Sequence, residues 1–406
     1  MTTFDAVALR RDLHADPEIG LRLPRTVRRV RTALAPLRLE ILDSRETSSF
    51  IAVIRGATTS EGARRAVLLR ADMDALPVVE ASGEAFASAT EAMHACGHDL
   101  HTAALVGAAH ALAARRADLA GDVALLFQAG EEALDGARLL VEEGLLDLVG
   151  AEWVAGFALH VLSDRPRGEI RSRAGAVTGS GTSVHAVFRG VGGHGATPHL
   201  AVDPIPALVG ALGHIPVALS RGIDAHEAVV FTPGYVHAGT RRNVIPESAE
   251  FDATLRTFDP TVRERAVAII ERVCEGLAAA HGAAVDIAIT QGYPSVIVDA
   301  AEHRFASAVA ADVFGADLVG DAPRPAAMTE DFSRIAALMP SWFAFLGARP
   351  DGVADPAANH AATARFDDAV LGDAIELETR WAIERLRRAV ERPRAATDPN
   401  TSLETR

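Results

Sequence analysis

Residues 93–103 read Met93-His94-Ala95-Cys96-Gly97-His98-Asp99-Leu100-His101-Thr102-Ala103 and continue into an apolar run. A thiol, three imidazoles and a carboxylate thus fall within eight positions, directly before a segment typical of a buried helix. We predict a loop that carries these groups to a helix starting after Thr102, with an extended backbone at Cys96-Gly97-His98 that points both ligands one way. Thiolate and imidazole suit zinc and neighbouring divalent ions better than magnesium or calcium. A buried cysteine beside helix-capping histidines would look the same, so distant partners must distinguish the two.

The composition excludes several classes of protein. A chain of 406 residues with 49% hydrophobic residues is long enough for two or three domains with large cores. The net charge of −14 and the lack of a basic run argue against a nucleic-acid partner. The sequence contains no lysine, so all 40 basic residues are arginines. This excludes Schiff-base chemistry on lysine and a Walker-type phosphate loop.

The two cysteines, Cys96 and Cys274, lie far apart in sequence and do not suggest a disulfide scaffold. The N-terminal segment is interrupted by charged residues and does not resemble a signal peptide. No apolar run approaches the roughly 18 residues of a membrane span. We therefore expect a soluble, cytoplasmic protein with no membrane partner.

Groups able to bind metal follow three short apolar runs that we predict to be strands. The runs and the groups after them are 66–70 with Asp72 and Asp74, 122–128 with Glu131 and Glu132, and 153–161 with His160 at its end. Open α/β sheets keep their chemistry at the carboxyl ends of such strands. In an extended segment Glu131 and Glu132 would diverge, so that one could bind metal while the other faces a water. The alternatives are turn-forming aspartates, an acidic first helical turn and a hydrogen-bonded core histidine.

The pattern changes after residue 173. Strand and helix patterns between 174 and 290 predict a compact α+β unit, which interrupts a first domain formed by residues 1–173 and 291–392. Its glycine-rich loop 190–199 has no phosphate-binding frame, and glycine there more readily lets His194 approach a ligand. In the last part we predict a helix opening at Met328, a strand over 342–347 and a closing helix over 367–389. Residues 393–406 are polar, and we expect them to be disordered.

The motifs, taken in order, resemble those of the M20 metallopeptidases. They are Arg-Ala-Asp-Met-Asp-Ala-Leu-Pro at 70–77, Met-His-Ala-Cys-Gly-His-Asp at 93–99, Glu-Glu at 131–132, His160-Val161, Gly-His-Gly-Ala-Thr-Pro-His at 193–199, Asn-Val-Ile-Pro at 243–246, Glu-Asp-Phe at 330–332, and His360. Within the family the chain is most similar to the amidohydrolase branch of hippurate hydrolases, auxin-conjugate hydrolases and N-acyl-amino-acid deacylases. The resemblance implies an α/β fold: a mixed-sheet catalytic domain with a smaller inserted α+β lid and dimerisation domain.

The resemblance also implies roles for individual residues. The expected ligands of two divalent metal ions are Cys96, His98, Glu132, His160 and His360; the metals would be zinc or manganese, with cobalt or nickel as further options. Glu131 would be the general acid and base, and Asp74 would support a ligand from outside the coordination sphere. The substrate-facing residues would be His194, which in dimeric relatives reaches the partner's active site, together with Asn243, Arg256 and His199. A homodimer or higher homo-oligomer formed through the inserted domain is implied as well.

The chain departs from the wider family at three places. Asp72 stands where other branches have a metal-binding histidine, Ala129-Gly130 precedes the glutamate pair in place of Pro-Ala, and Ala361-Ala362 replaces a proline after His360. The implied reaction is metal-dependent hydrolysis of the amide bond of small N-acyl amino acids. The alternatives are a dipeptidase or aryl-amide hydrolase with the same site, and a metal-binding scaffold protein without turnover. The scaffold is disfavoured because Glu131, which binding alone does not need, is retained.

Overall fold

The computed structural model describes residues 4–57 and 64–391, and the tail that we predict over 393–406 lies outside this part of the chain. The chain forms two compact units. The first contains residues 1–174, 298–322 and 335–406, and the second contains residues 175–297 and 323–334. The domain roles that we predict, catalytic for one and lid or dimerisation for the other, stay predictions.

The described residues form the following elements in chain order. The strands are β1 Glu40–Asp43, β2 Phe50–Ile54, β3 Arg65–Asp72, β4 Asp122–Gln128, β5 Glu152–Pro166, β6 Ile170–Ser172, β7 Gly175–Ala176, β8 Ser180–Arg189, β9 Gly193–His194, β10 Val230–Ala238, β11 Val244–Ile245, β12 Ser248–Thr257, β13 Ala284–Gln291, β14 Ile297–Val298, β15 Val319–Asp321 and β16 Ser341–Arg349. The α-helices are α1 Ala6–Ala15, α2 Pro24–Leu34, α3 His98–Ala114, α4 Glu131–Leu134, α5 Gly136–Glu142, α6 Pro204–Gly222, α7 Pro260–Ala280, α8 Ala300–Phe314, α9 Ser333–Ala336 and α10 Val370–Glu391.

The first unit is built on an eight-stranded sheet in the order β1-β2-β4-β3-β5-β16-β6-β15. The central strands β4, β3, β5 and β16 run parallel, whereas β1, β2 and β6 pair with antiparallel neighbours. Every residue of β2 and β4 is buried, as expected for strands covered on both faces. The prediction of an α/β fold with a mixed sheet is confirmed.

Two long helices of the first unit, α3 and α10, pack against β3 and against each other. Almost every residue of α3 is buried, because the helix packs against the sheet, α10, α1 and α2. At their crossing, a Cβ on Gly107 would lie 2.3 Å from Cδ1 of Ile375. Glycine at this position therefore permits the close approach of the two helices.

The carboxyl ends of β3 and β4 lie side by side, because Asp72 pairs with Gln128 across the parallel ladder. The strand carrying His160 is longer than predicted and runs on to Pro166. Pairing between β5 and β3 nevertheless ends at Arg70 and Ala158, so His160 lies just past the last residue that β3 covers. The sheet therefore brings the three groups of candidate ligand residues to one edge, as the strand pattern predicts.

The second unit has a four-stranded antiparallel sheet in the order β10-β12-β8-β13, with α6 and α7 packed on it. Its core contains Phe188, Phe251 and Ile270, together with Cys274, which is fully buried. A separate two-stranded ladder joins β9 to β11. The strands and helices of this unit form an α+β arrangement.

Several elements differ from the sequence prediction. The edge strand β10 contains Pro233 and Gly234, which argue against a strand, and the ladder shifts register there. Helix α8 went unpredicted, although Asp299 caps it by accepting hydrogen bonds from two backbone N–H groups. The helix predicted to open at Met328 is only the four-residue α9.

Within the described ranges, every helix is too short or too polar to cross a membrane.

Candidate metal centre

The five predicted metal ligands converge in the first unit. Nε2 of His360 lies 3.2 Å from Sγ of Cys96 and 3.3 Å from Oε1 of Glu132. On the other side of the thiol, Nε2 of His160 lies 3.4 Å from Cys96 Sγ. His98 completes the group, with its Nε2 4.0 Å from Glu132 Oε1. Residues from four distant parts of the chain thus surround one thiol.

Gly97 orients the first two ligands in a way that corrects the prediction. The backbone at Gly97 is left-handed, with φ of 84°, and His98 is the first residue of α3. The helix therefore begins five residues before the predicted start, and the Cys96-Gly97-His98 segment is not extended. A left-handed residue turns the chain sharply, so Cys96 and His98 converge because of the turn and not because of strand alternation.

Two imidazoles are held in the tautomer that suits a metal. The Nδ1–H of His98 donates to the carbonyl of Asp74 at 2.8 Å, and that of His160 donates to the carbonyl of Val161 at 2.9 Å. In the neutral ring that binds a metal, each Nε2 then keeps its lone pair on the side of the thiol, the arrangement common in metal-binding histidines.

The donor set fits a cation. Nε2 of His98 and Oε1 of Glu132 are buried, and neither makes a hydrogen bond of good geometry within the described part of the chain. Buried polar atoms normally have a partner, so two such atoms facing the same thiol indicate that a bound ion belongs there. Cys96, His98 and His160 form one group of ligand atoms within 4.8 Å of one another, and Cys96, Glu132 and His360 form a second.

Asp74 organises the two glutamates. Its two carboxylate oxygens accept hydrogen bonds from the backbone N–H groups of Glu131 and Glu132, each at 3.0 Å. The segment is a short irregular turn after the left-handed Gly130, and Glu132 has a non-helical ψ of 95°. It is therefore neither the extended segment nor the regular helical turn considered from sequence. The break at Glu132 lets the neighbouring side chains point in different directions.

The charges of the centre favour a thiolate. Burial alone would raise the pKa of the Cys96 thiol, but the neighbouring charge of His160 and hydrogen bonds from the imidazoles outweigh it and hold the pKa well below its ordinary value. Hydrogen bonds to Cys96 and Glu132 raise the pKa of His360 to about 10. The thiolate is the form that binds metal, and the site attracts positive charge.

Sequence analysis missed residues that surround the ligands. Asn359 donates from Nδ2 to the Val161 carbonyl at 2.9 Å and accepts from the Ser163 N–H at 2.9 Å, which anchors the loop before His360. The His360 N–H donates to the Ala95 carbonyl at 2.8 Å. His101, in the ligand-rich stretch, is fully hydrogen-bonded beneath the site. In the sequence, only the position of Asn359 directly before His360 could have pointed to its role.

The predicted substrate-facing residues lie in the second unit. His194 pairs with Val244 in the β9–β11 ladder, and the Gly195 N–H donates to the Asn243 carbonyl at 3.0 Å, so His194 and Asn243 lie close together. His199 is exposed in a short 3-10 turn, Pro198–Leu200. Arg256 lies on a different sheet, where it pairs with Gly181 on β8. Within its unit, the structure thus brings together only the first two.

Comparisons with known proteins agree with these features. The chain is 36% identical to N-acetylcysteine deacetylase of Bacillus subtilis (strain 168), over 84% of this chain and 87% of that protein. It is also 36% identical to N-acyl-L-amino acid amidohydrolase of Geobacillus stearothermophilus, over 72% and 78% of the two chains. The crystal structure of Bacillus subtilis YxeP, described as a dinuclear metal-binding peptidase from the M20 family, superposes with a TM-score of 0.78 at 32% identity, covering 94% of this chain and 98% of that one. The profile of peptidase family M20/M25/M40 matches residues 68–384. The chain therefore belongs to this family, as the order of its motifs indicates.

Proposed function

We propose that this protein hydrolyses the amide bond of N-acyl amino acids with bound divalent metal ions, releasing a carboxylic acid and an amino acid or related amine. The observation that carries the proposal is the convergence of Cys96, His98, Glu132, His160 and His360 around buried atoms that lack good hydrogen bonds. The names of two relatives, a deacetylase of N-acetylcysteine and an amidohydrolase of acylated amino acids, support an N-acyl amino acid as the substrate rather than a dipeptide.

We further propose that the centre holds two ions. Two ligand groups share Cys96, one with His98 and His160 and the other with Glu132 and His360, which is the pattern expected when one residue lies between two cations. Sulfur and nitrogen donors favour zinc, whereas the carboxylate also accepts manganese, cobalt or nickel.

Bound divalent ions lower the pKa of a metal-bound water to about 7 and polarise an amide carbonyl. In the proposed mechanism the carboxylate of Glu131 takes the proton of the attacking water and passes it to the leaving nitrogen. Glu131 suits this task because it is buried and its N–H is held by Asp74. A carboxylate in this position is kept near the reacting atoms without needing to bind an ion itself.

The second unit would supply substrate recognition. We assign His194 and Asn243 as hydrogen-bond donors to the substrate carbonyl, where the oxygen gains negative charge as water attacks. Arg256, with its planar guanidinium, would bind the carboxylate of the amino acid in a bidentate manner, and His199 would contribute a further polar contact. These roles rest on the motif resemblance and make the unit the proposed lid.

We also propose a homodimer formed through the second unit. The edge strand β10 is exposed along most of its length and presents Val230, Tyr235 and Val236, each about half exposed. A long apolar edge strand is an aggregation hazard unless another chain covers it. Pairing with a second copy would cover this one.

The test is an assay of several N-acyl amino acids, dipeptides and aryl amides with the metal-loaded protein. We expect acyl amino acids to be cleaved, a chelator to abolish cleavage, and Glu131→Gln to lose at least a hundredfold in kcat while its metal content stays that of wild type. Glu264→Gln, an exposed change in the second unit, is the matched control and should keep full activity. Preferred cleavage of dipeptides or aryl amides would support the other substrate classes. Metal binding with no turnover by wild type would favour the scaffold alternative.

A further inference from the structure

A chain of buried polar side chains lies directly beneath the ligands. Arg70, the third-last residue of β3, donates from a guanidinium nitrogen to Oδ2 of Asp72 at 2.7 Å. The other carboxylate oxygen of Asp72 lies 2.6 Å from Nδ1 of His101. On the far side of that ring, Nε2 of His101 accepts the backbone N–H of Val161 at 2.9 Å. All three side chains are almost completely buried.

The hydrogen bonds define where each proton lies. Because the N–H of Val161 can only donate, Nε2 of His101 must be the acceptor. The ring proton therefore lies on Nδ1, which donates a hydrogen bond to Asp72. The second oxygen of Asp72 accepts a hydrogen bond from Arg70. The hydrogen bond from Val161 thus places the ring proton of His101 on Nδ1, and that proton makes Asp72 the acceptor of the next hydrogen bond.

The same bonds leave His101 no lone pair for an ion and give each oxygen of Asp72 a partner within the protein. Both nitrogens of His101 and both oxygens of Asp72 are already used in hydrogen bonds within the protein. Oδ2 of Asp72 also lies 3.7 Å from Nε2 of His98, so its negative charge is close to this candidate ligand. In this arrangement Asp72 holds Arg70 and His101, at the position where other branches of the family have a metal-binding histidine.

The series ends on the backbone that holds two ligands. Val161 follows His160 directly, and its carbonyl accepts both the Nδ1–H of His160 and the Nδ2–H of Asn359, the residue before His360. Val161 also contacts the turn at Gly97, since a Cβ there would lie 2.3 Å from its Cγ2. A shift of the Val161 peptide would therefore move His160 and, through Asn359, the loop of His360.

We propose that Arg70, Asp72 and His101 are positioning residues of the metal centre, which hold the Val161 peptide and so fix His160 and the loop of His360 for metal binding. The inference rests on the proposed function, because it assumes that these ligands hold metal. Outer hydrogen-bond partners of this kind commonly contribute 10- to 100-fold to metal affinity.

Asp72→Asn is the decisive variant because an amide cannot serve both neighbours. Its oxygen can accept from Arg70 only if its NH₂ faces His101, and then His101 must accept at Nδ1, so that its Nε2–H opposes the Val161 N–H. If the amide is flipped, its NH₂ opposes the Arg70 guanidinium instead. Either orientation of the amide therefore leaves two buried N–H donors facing each other.

The matched control is Asp122→Asn. Asp122 is the first residue of β4 in the same sheet, is fully buried, and accepts hydrogen bonds from the guanidinium groups of Arg55 and Arg64. It lies at the opposite end of β4 from the ligand-bearing edge, about 20 Å along the strand. This change should lower stability in the same way without affecting the ligands.

The experiment measures the zinc dissociation constant of the apo-protein by competition with a chromophoric chelator, without substrate. We expect Asp72→Asn to bind zinc 10- to 100-fold more weakly than wild type and Asp122→Asn to stay within about twofold. Equal zinc affinity of wild type and Asp72→Asn, or an equal loss in Asp122→Asn, would overturn the inference. Failure of wild type to bind zinc at all would instead overturn the proposed function.

A second pair of variants covers the case in which Asp72→Asn does not fold. His101→Gln keeps one donor and one acceptor for Asp72 and Val161, whereas His101→Leu keeps neither. The inference requires that zinc affinity be weakened at least fivefold more by leucine than by glutamine. Equal affinities of the two variants would contradict it.

Discussion

His14 is a buried histidine on α1 whose two ring nitrogens both face carboxylates. Its Nδ1 lies 2.8 Å from Oδ2 of Asp99, and its Nε2 lies 3.1 Å from Oε1 of Glu80. Nε of Arg10 lies 2.7 Å from Oδ2 of the same Asp99, and the ring centroids of His14 and His94 are 6.2 Å apart. The cluster ties α1 to the residue that follows His98, so a charge on α1 helps to hold the start of α3.

This environment predicts a pH dependence of stability. Burial lowers the pKa of His14, but the charge of Asp99 and hydrogen bonds to Asp99 and Glu80 outweigh it and raise the pKa to about 9. A raised pKa stabilises the folded state fully below the unfolded value near 6.5, and that stability is lost as the pH rises through about 9. We expect His14→Gln to cost up to about 3 kcal/mol at pH 6 and much less at pH 10.

Urea unfolding of wild type and His14→Gln across this pH range measures the difference directly. His226→Gln is the control, because that histidine is exposed and pairs only with Asp224. Its difference from wild type should stay small and flat with pH. A constant difference for His14→Gln as well would show that the histidine is not charged in the folded protein.

At the scale of single elements, the turn before α3 makes the strictest demand on the sequence. Gly97 has φ of 84°, and a Cβ at that position would lie 2.3 Å from Val161 Cγ2 and 3.1 Å from Phe366 Cε1. A left-handed conformation costs a non-glycine residue about 1–2 kcal/mol, and overpacking costs about 1–3 kcal/mol more. Gly97→Ala should therefore destabilise the protein by both amounts and lower its metal content, because Val161 neighbours His160.

Gly83→Ala separates the two effects. Gly83 also has a left-handed backbone, with φ of 74°, but within the described part of the chain no atom beyond its chain neighbours lies within 4 Å of the added Cβ. Thermal or urea unfolding should show a loss of only about 1–2 kcal/mol, with normal metal content. Equal losses in the two variants would mean that the contact with Val161 does not constrain the turn.

At the scale of the whole molecule, the exposed edge strand β10 predicts self-association. Val236, the third-last residue of this strand, is 52% exposed. We expect wild type to sediment as a dimer at micromolar concentration, and Val236→Arg to raise the dimer dissociation constant at least tenfold, because the arginine charge would be buried in the contact.

Val79→Arg is the matched control, because Val79 is 68% exposed and belongs to the first unit, whereas β10 belongs to the second. Analytical ultracentrifugation of the three proteins distinguishes the outcomes. A monomeric wild type, or a dimer weakened equally by both changes, would refute association through β10.

Much of this protein follows from local patterns in its sequence. Apolar runs predict β2 and β4 with their bounds as observed, and the closing helix α10, since burial on both faces leaves a continuous apolar signature. The acidic groups after β3 and β4 are visible because they follow strand ends at one sheet edge, and the ligand-rich stretch is visible because its ligands lie close together in sequence before the apolar α3. Strand β10 is not visible in this way, because it is exposed and contains Pro233 and Gly234.

Other features arise only when distant residues meet. The sequence does not reveal that Asp72 contacts His101, or that the tautomer of His101 depends on the peptide of Val161, because those partners are 29 and 60 residues away. The left-handed turn at Gly97 likewise depends on Val161 and Phe366, which leave no room for a side chain. Local propensity and hydrophobic periodicity depend on only a few neighbouring residues. The geometry of a metal centre is set instead by contacts between residues that are far apart in the sequence.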